Sequence, residues 1–194
     1  MKKGVVLALA ANAEPDMQKV MFHGHLMKIA HTALFAQRIK TIINDMETKK
    51  YRIYLDVCCL NRPFDDLSND RLRMEADAVL AILSRCKNGV WALLTSDVIK
   101  QEISRQTDTL RREKVEAFLS TAIEDLKTTE VAVAKAVSFQ KNGIKVFDSY
   151  HLAVADENSC DVFLTTDDRF LNKATRQKIN TRVANPATWL LEVI

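Results

Sequence analysis

From residue 50 onward, short apolar runs alternate with longer segments in which apolar residues recur every three or four positions. The short runs predict strands at 51–56, 90–95, 144–147, 161–166 and near 181–184. The longer segments predict helices at 70–87, 96–105, 110–126, 129–142, 148–158 and 168–175, with a last helical turn after 185. This alternation predicts an α/β fold, a three-layer α/β/α sandwich around a central, mostly parallel sheet.

Residues 1–45 do not follow this alternation, and we treat them as an N-terminal extension of uncertain status beside a domain at 46–194. Lys2 and Lys3 precede a short apolar run, which partly resembles a secretory signal. Alternatively, the natural start is Met46, just before the first predicted strand. No apolar run reaches the roughly 18 residues that a membrane span needs, and we expect a cytoplasmic protein.

The formal net charge of +3 is unevenly distributed. Residues 1–50 hold 8 Lys and Arg against 4 Asp and Glu, and the rest of the chain holds 20 against 21. A broad basic surface for nucleic acid is therefore absent from the predicted domain. If the substrate is RNA, the attraction comes from local patches such as Arg111 with Arg112 or the region 169–178, from a metal ion, or from a partner subunit. The four cysteines form no Cys-x-x-Cys pair, which argues against a structural zinc site.

Four carboxylates follow the ends of the predicted strands, although more than a hundred residues separate the first from the last. They are Asp56, Glu102, Asp148 and Asp167. Ligands of open α/β sheets bind beyond the carboxyl ends of the strands, so these acids can converge on one point. Several carboxylates in one pocket repel each other unless a cation or a shared proton is present. Oxygen ligands suit Mg²⁺ or Mn²⁺, and the pattern predicts metal-assisted chemistry on phosphate esters.

Four segments carry a resemblance to a known family. They are residues 54–56 (Tyr-Leu-Asp), 96–102 (Ser-Asp-Val-Ile-Lys-Gln-Glu), 147–153 (Phe-Asp-Ser-Tyr-His-Leu-Ala) and 164–167 (Leu-Thr-Thr-Asp). In order and context they resemble the PIN-domain nucleases, a family that includes the toxin ribonucleases of bacterial VapBC toxin–antitoxin pairs. The resemblance covers about residues 50–190.

The resemblance implies that Asp56, Glu102, Asp148 and Asp167 ligate Mg²⁺ or Mn²⁺ and that the protein hydrolyses single-stranded or structured RNA. It also places Thr165 and Thr166 beside the metal pocket. A toxin role, a cognate antitoxin encoded next door and a homodimer through the helices at 70–87 and 110–126 are further expectations.

Some details depart from the family pattern. The small hydroxyl residue and early Asn that often follow the first Asp are missing here, since Val57 and Cys58 stand in their place. This departure keeps an alternative open, a catalytically weak PIN-fold module that binds RNA or protein. Asp168 competes with Asp167 as the fourth ligand, and we favour Asp167. His151, one turn after Asp148, is expected to be a core residue or a neighbour of the ligands rather than a general base.

Overall fold

The computed structural model describes residues 50–194, so the predicted extension at 1–45 lies outside the described residues. Within this part of the chain, five strands form one sheet in the order β3-β2-β1-β4-β5, and every neighbouring pair is parallel. The strands are β1 (Arg52–Leu55), β2 (Ala92–Ser96), β3 (Glu124–Leu126), β4 (Val162–Leu164) and β5 (Arg182–Ala184).

Eight α-helices flank the sheet in the described part of the chain. They are α1 (Val57–Asn61), α2 (Asp70–Lys87), α3 (Asp97–Ser104), α4 (Thr109–Leu119), α5 (Glu130–Lys141), α6 (Val146–Glu157), α7 (Asp168–Ala174) and α8 (Pro186–Val193). Helix α2 packs against α8, and α5 packs against α6. The prediction of a three-layer α/β/α sandwich is confirmed.

Strand β1 lies at the centre of the sheet and of the core. Its residues Ile53, Tyr54 and Leu55 have no exposed surface, because strands flank β1 on both sides and helices cover both of its faces. The sequence carries the stop and start signals that set several helix bounds. Ser96 accepts a hydrogen bond at its Oγ from the backbone NH of Ile99 and caps α3, as predicted.

The sequence-based assignment missed the short helix α1 and was wrong in two further places. Helix α4 ends at Leu119, and residues 124–126 form the edge strand β3 instead of a last helical turn. Residues 144–147 form no strand, and α6 begins at Val146 within that run. Only Ile144 of the run is buried, while Val146 is 58% exposed. A four-residue apolar run cannot by itself distinguish a strand from the start of a helix.

Among the described residues, no helix combines the length and the apolar character that a membrane crossing needs.

Candidate metal centre

The candidate site lies at the carboxyl ends of the central strands. Strands β2 and β3 lie on one side of β1, and β4 and β5, which follow in the chain, lie on its other side. The strand order therefore reverses between β1 and β4, and a crevice opens at such a reversal. Asp56 directly follows β1, and its backbone NH donates to the carbonyl oxygen of Leu164 at the end of β4 (3.0 Å).

Two of the four predicted acids meet in this crevice together with a histidine. One carboxylate oxygen of Asp56, one carboxylate oxygen of Glu102 and one ring nitrogen of His151 all lie within 4.8 Å of one another. Asp56 comes from the end of β1, Glu102 from α3 and His151 from α6. Three elements that are distant in the chain therefore contribute to one cluster. Asp148 and Asp167 lie outside this set of three.

Asp56 is buried, and its side-chain hydrogen-bond donors among residues 50–194 are neutral. Its Oδ2 accepts from the hydroxyl of Thr165 (2.8 Å) and from the thiol of Cys58 (3.0 Å). The Thr165 hydroxyl also accepts from the backbone NH of Asp167 (3.1 Å), so it ties the end of β4 to Asp56. Burial, which disfavours the charged form, raises the pKa of Asp56 well above its usual value.

A chain of hydrogen bonds through the core holds Glu102. Its Oε2 lies 2.7 Å from Nε2 of His151, which is fully buried, and Nδ1 of His151 lies 2.7 Å from the hydroxyl of Tyr54. That hydroxyl lies 2.7 Å from Oγ of Ser96, which already accepts from the backbone NH of Ile99.

One proton arrangement satisfies every member of this chain. Ser96 donates to Tyr54, Tyr54 donates to Nδ1 of His151, and Nε2–H donates to the carboxylate of Glu102. In this arrangement Nδ1 of the imidazole accepts, Nε2 donates, and the hydroxyl behind the ring sets these roles. A proton on Nδ1 would turn Tyr54 toward Ser96 and leave the Ser96 hydroxyl without an acceptor among the described residues. The chain therefore orients the Glu102 carboxylate.

Asp148 lies in the first turn of α6, one turn before His151. Burial raises the pKa of its carboxyl, Lys145 opposes that effect, and the carboxylates of Asp167 and Glu102 add to it. Asp148 therefore stands within electrostatic reach of both acids, although it is not in the compact cluster. The predicted position of Asp148 after a strand was wrong, since a loop and the start of α6 occupy residues 144–147.

The structure distinguishes Asp167 from Asp168. Asp167 caps α7 through Oδ1, which accepts from the backbone NH groups of Arg169 (2.8 Å) and Phe170 (3.0 Å), and its Oδ2 lies 3.5 Å from Nζ of Lys145. Burial opposes ionisation, but these hydrogen bonds and Lys145 outweigh it and lower the pKa of Asp167. Asp168 accepts instead from Arg71 of α2 (2.6 Å) and is exposed. Of the two, Asp167 is the one that interacts with Asp148.

Sequence reasoning expected His151 to be a core residue or a neighbour of the ligands, and in the structure it is buried and contacts Glu102. It also treated the hydroxyl role next to Asp56 as vacant. In the structure, Thr165 supplies a hydroxyl from the neighbouring strand, and Cys58 adds a thiol. Thr165 and Asp56 are 109 residues apart, so their contact depends on the pairing of β1 with β4.

The donor set of the crevice fits a divalent cation. Among the described residues, no Lys or Arg forms an ion pair with Asp56, Glu102 or Asp148; the partner of Glu102 is His151. Buried carboxylates without a cationic partner are unfavourable in the ionised form. A hard cation bound by their oxygens would remove that penalty, and Asp56 and Glu102 are close enough to share one.

Without metal, Asp56 is expected to destabilise the fold when it ionises. Because its folded-state pKa is raised, its contribution to stability is present at low pH and is lost as the pH rises through that pKa. Asp56→Asn should therefore stabilise the fold at pH 8 in EDTA. The melting temperature should rise by roughly 2–4 °C for each 1 kcal/mol by which the free energy of unfolding increases. The difference in melting temperature between Asp56→Asn and the wild type should become smaller as the pH falls toward the usual pKa of a carboxyl group.

Circular-dichroism melting over that pH range measures the effect, with Asp77→Asn on the exposed face of α2 as the matched control. A lower melting temperature for Asp56→Asn than for the control at pH 8 would contradict the unpaired buried charge.

Comparison with known proteins identifies the family of this chain. The family model of the PIN domain matches residues 53–175. Similar solved structures include VapBC2 from Rickettsia felis bound to a DNA fragment from its promoter, with 15% identity, a TM-score of 0.47 and coverage of 69% of this chain and 97% of that chain. Another is PAE2754 from Pyrobaculum aerophilum, with 16% identity, a TM-score of 0.42 and coverage of 74% of this chain and 90% of that chain. No curated protein matches the chain significantly. Because the family model covers more than half of its residues, the chain belongs to the PIN domain family.

Proposed function

We propose that this protein is a metal-dependent endoribonuclease, which hydrolyses RNA phosphodiester bonds with Mg²⁺ or Mn²⁺ held by Asp56, Glu102, Asp148 and Asp167. The observation that carries the proposal is the approach of Asp56 and Glu102 to within 4.8 Å, with no Lys or Arg paired to either among the described residues. Membership of a nuclease family supports the same activity.

The four acids have two kinds of role in this proposal. Asp56 and Glu102 form the inner pair, because they share the crevice with His151. Asp148 and Asp167 lie beside this pair and add negative charge, which attracts a cation. A bound divalent cation supplies Lewis-acid stabilisation of charge on the phosphoryl oxygens and makes water a better nucleophile. Addition of water at phosphorus then breaks one P–O bond and leaves a phosphate monoester and a hydroxyl.

The residues behind the acids keep this arrangement fixed. Thr165 and Cys58 hold Oδ2 of Asp56, and His151 holds Oε2 of Glu102. Ligands whose orientation is set by such contacts bind metal more tightly, because less order has to be created on binding. The exclusion of water around Asp56 also strengthens its interaction with a cation.

Cleavage of labelled single-stranded RNA in Mn²⁺, in Mg²⁺ and in EDTA tests the activity. Asp56→Asn, Glu102→Gln, Asp148→Asn and Asp167→Asn should each lower the rate at least about 100-fold, equivalent to about 2.7 kcal/mol of transition-state stabilisation. Asp168→Asn is the matched control, since its carboxylate pairs with Arg71, and it should cleave at the wild-type rate.

Full activity in Asp56→Asn or Asp148→Asn, or cutting that persists in EDTA, would contradict the site. Folded protein that cuts no RNA with either metal would favour the alternative of a binding module.

The link through His151 gives a second prediction. Tyr54→Phe keeps the ring that stacks on Phe163 but removes the hydroxyl behind His151. Mn²⁺ affinity, measured by calorimetry, should fall ~10-fold, as it does when outer contacts of metal ligands are removed. In a Glu102→Ala background the same substitution should have no further effect, because the chain acts through Glu102. Equal losses in both backgrounds would show a general structural role instead.

A toxin role is a further proposal. An antitoxin segment that places a Lys or Arg between Asp56 and Glu102 would supply the cationic partner that the described residues do not. Action in the cytoplasm and homodimerisation also stay predictions. Co-purification with the product of an adjacent gene, followed by loss of RNA cleavage in the complex, would support the toxin role.

A further inference from the structure

A basic pocket lies beside the acidic centre. Its volume is about 400 Å³, and Asp148 forms part of its wall. Apart from Asp148, the charged side chains that line the pocket are four cations. They come from the loop before α6, from α7 and from the turn that follows α7. They are Lys145, Arg169, Lys173 and Arg176. Positive charge therefore outweighs negative charge in this pocket, although the chain from residue 51 onward holds 20 Lys and Arg against 21 Asp and Glu.

The two arginines of the pocket differ from the other arginines in the described part of the chain. Nine of the eleven have a side-chain partner, which is a carboxylate, a carbonyl oxygen or an aromatic ring. Within residues 50–194, the guanidinium groups of Arg169 and Arg176 have none. Both face the same pocket. Two unpaired guanidinium groups at one place favour an anionic ligand.

The two lysines are already engaged. Lys173 donates from Nζ to the carbonyl oxygen of Gly143, and Nζ of Lys145 lies 3.5 Å from Oδ2 of Asp167. Lys145 therefore links the basic pocket to the acids, and Asp148 belongs to both. A ligand that fills the pocket would extend directly toward the proposed metal centre.

RNA is repelled by the carboxylates unless cations offset them, and a metal ion acts only on the phosphate that is cut. We propose that the basic pocket binds a second phosphate of the same RNA strand, one that neighbours the scissile phosphate, through Arg169 and Arg176. The proposal rests on the function proposed above. Arg169 and Arg176 are then positioning residues, which fix the strand relative to the acids.

Binding of a short labelled single-stranded RNA to the full-length chain, measured by fluorescence anisotropy at several salt concentrations, tests the proposal. The protein carries Asp56→Asn so that the RNA stays intact. Adding Arg169→Gln with Arg176→Gln should weaken binding about tenfold or more at low salt. The slope of log affinity against log salt should fall by roughly 0.7, because the variant loses one phosphate contact and each such contact on a single strand contributes roughly 0.7.

Two controls separate this effect from loss of structure or of net charge. Arg182→Gln removes a charge at the amino end of β5, where Arg182 pairs with Glu192 outside the pocket, and should change neither affinity nor slope. Arg169→Lys with Arg176→Lys should retain the wild-type slope, because the charges remain. Wild-type affinity and slope in the double Gln variant, or an equal loss in Arg182→Gln, would overturn the proposal.

The source of the phosphate is tested with inorganic phosphate as a calorimetric probe. We expect it to bind much more weakly than the RNA. Arg-dependent binding of inorganic phosphate with unchanged RNA affinity would identify a site for free anions and overturn the proposal. Binding is measured without cleavage, so the two proposals can fail separately. A protein that binds RNA through the two arginines but does not cut it would contradict the proposed activity and still support phosphate binding in the pocket.

Discussion

The site depends on one unfavourable feature, a carboxylate that is buried without a cationic partner among the described residues. Asp56 ends the central strand of a parallel sheet, at the place where the strand order reverses. Its position is fixed by the pairing of β1 with β4, and its hydrogen bonds come from neutral groups. The fold therefore holds a charge in a place where water cannot stabilise it. Such local conflicts between stability and arrangement are expected at functional sites.

The rest of the crevice reinforces this feature. Glu102 is held by a hydrogen-bond chain that begins at the capping residue of its own helix and returns through Tyr54 and His151. The orientation of the Glu102 carboxylate therefore depends on the residue that caps its helix and on two residues of the core. Arginines in most of the described structure are paired, while two beside Asp148 are not. This separation places the proposed metal centre next to the pocket proposed to bind phosphate, an arrangement suited to a polyanionic substrate.

Much of the fold was readable from the sequence because local signals and tertiary structure agree. Helix α2 has the predicted bounds of 70–87, and Ser96 caps α3 as expected. The edge strand β3 was missed because two of its three residues are acidic and only Leu126 is buried. The helical apolar period of α4 continues through that segment, so the pattern alone favours a longer helix.

The candidate site was readable only in part. Asp56 was visible as an acid at the end of an apolar run, and Glu102 gained its meaning from the family resemblance. The contacts that orient them join Tyr54 to His151, 97 residues apart, and Asp56 to Thr165, 109 residues apart. Contacts at such separations depend on strand order, which a single sequence does not specify. The choice between Asp167 and Asp168 likewise rests on the Arg71 contact made by Asp168.

Anomalous scattering from crystals soaked in Mn²⁺ would test the central claim most directly. The account predicts a manganese peak in the crevice, within coordination distance of the carboxylate oxygens of Asp56 and Glu102, that disappears in Asp56→Asn crystals. A peak elsewhere on the protein, or none at millimolar Mn²⁺ with the crevice open to solvent, would contradict it.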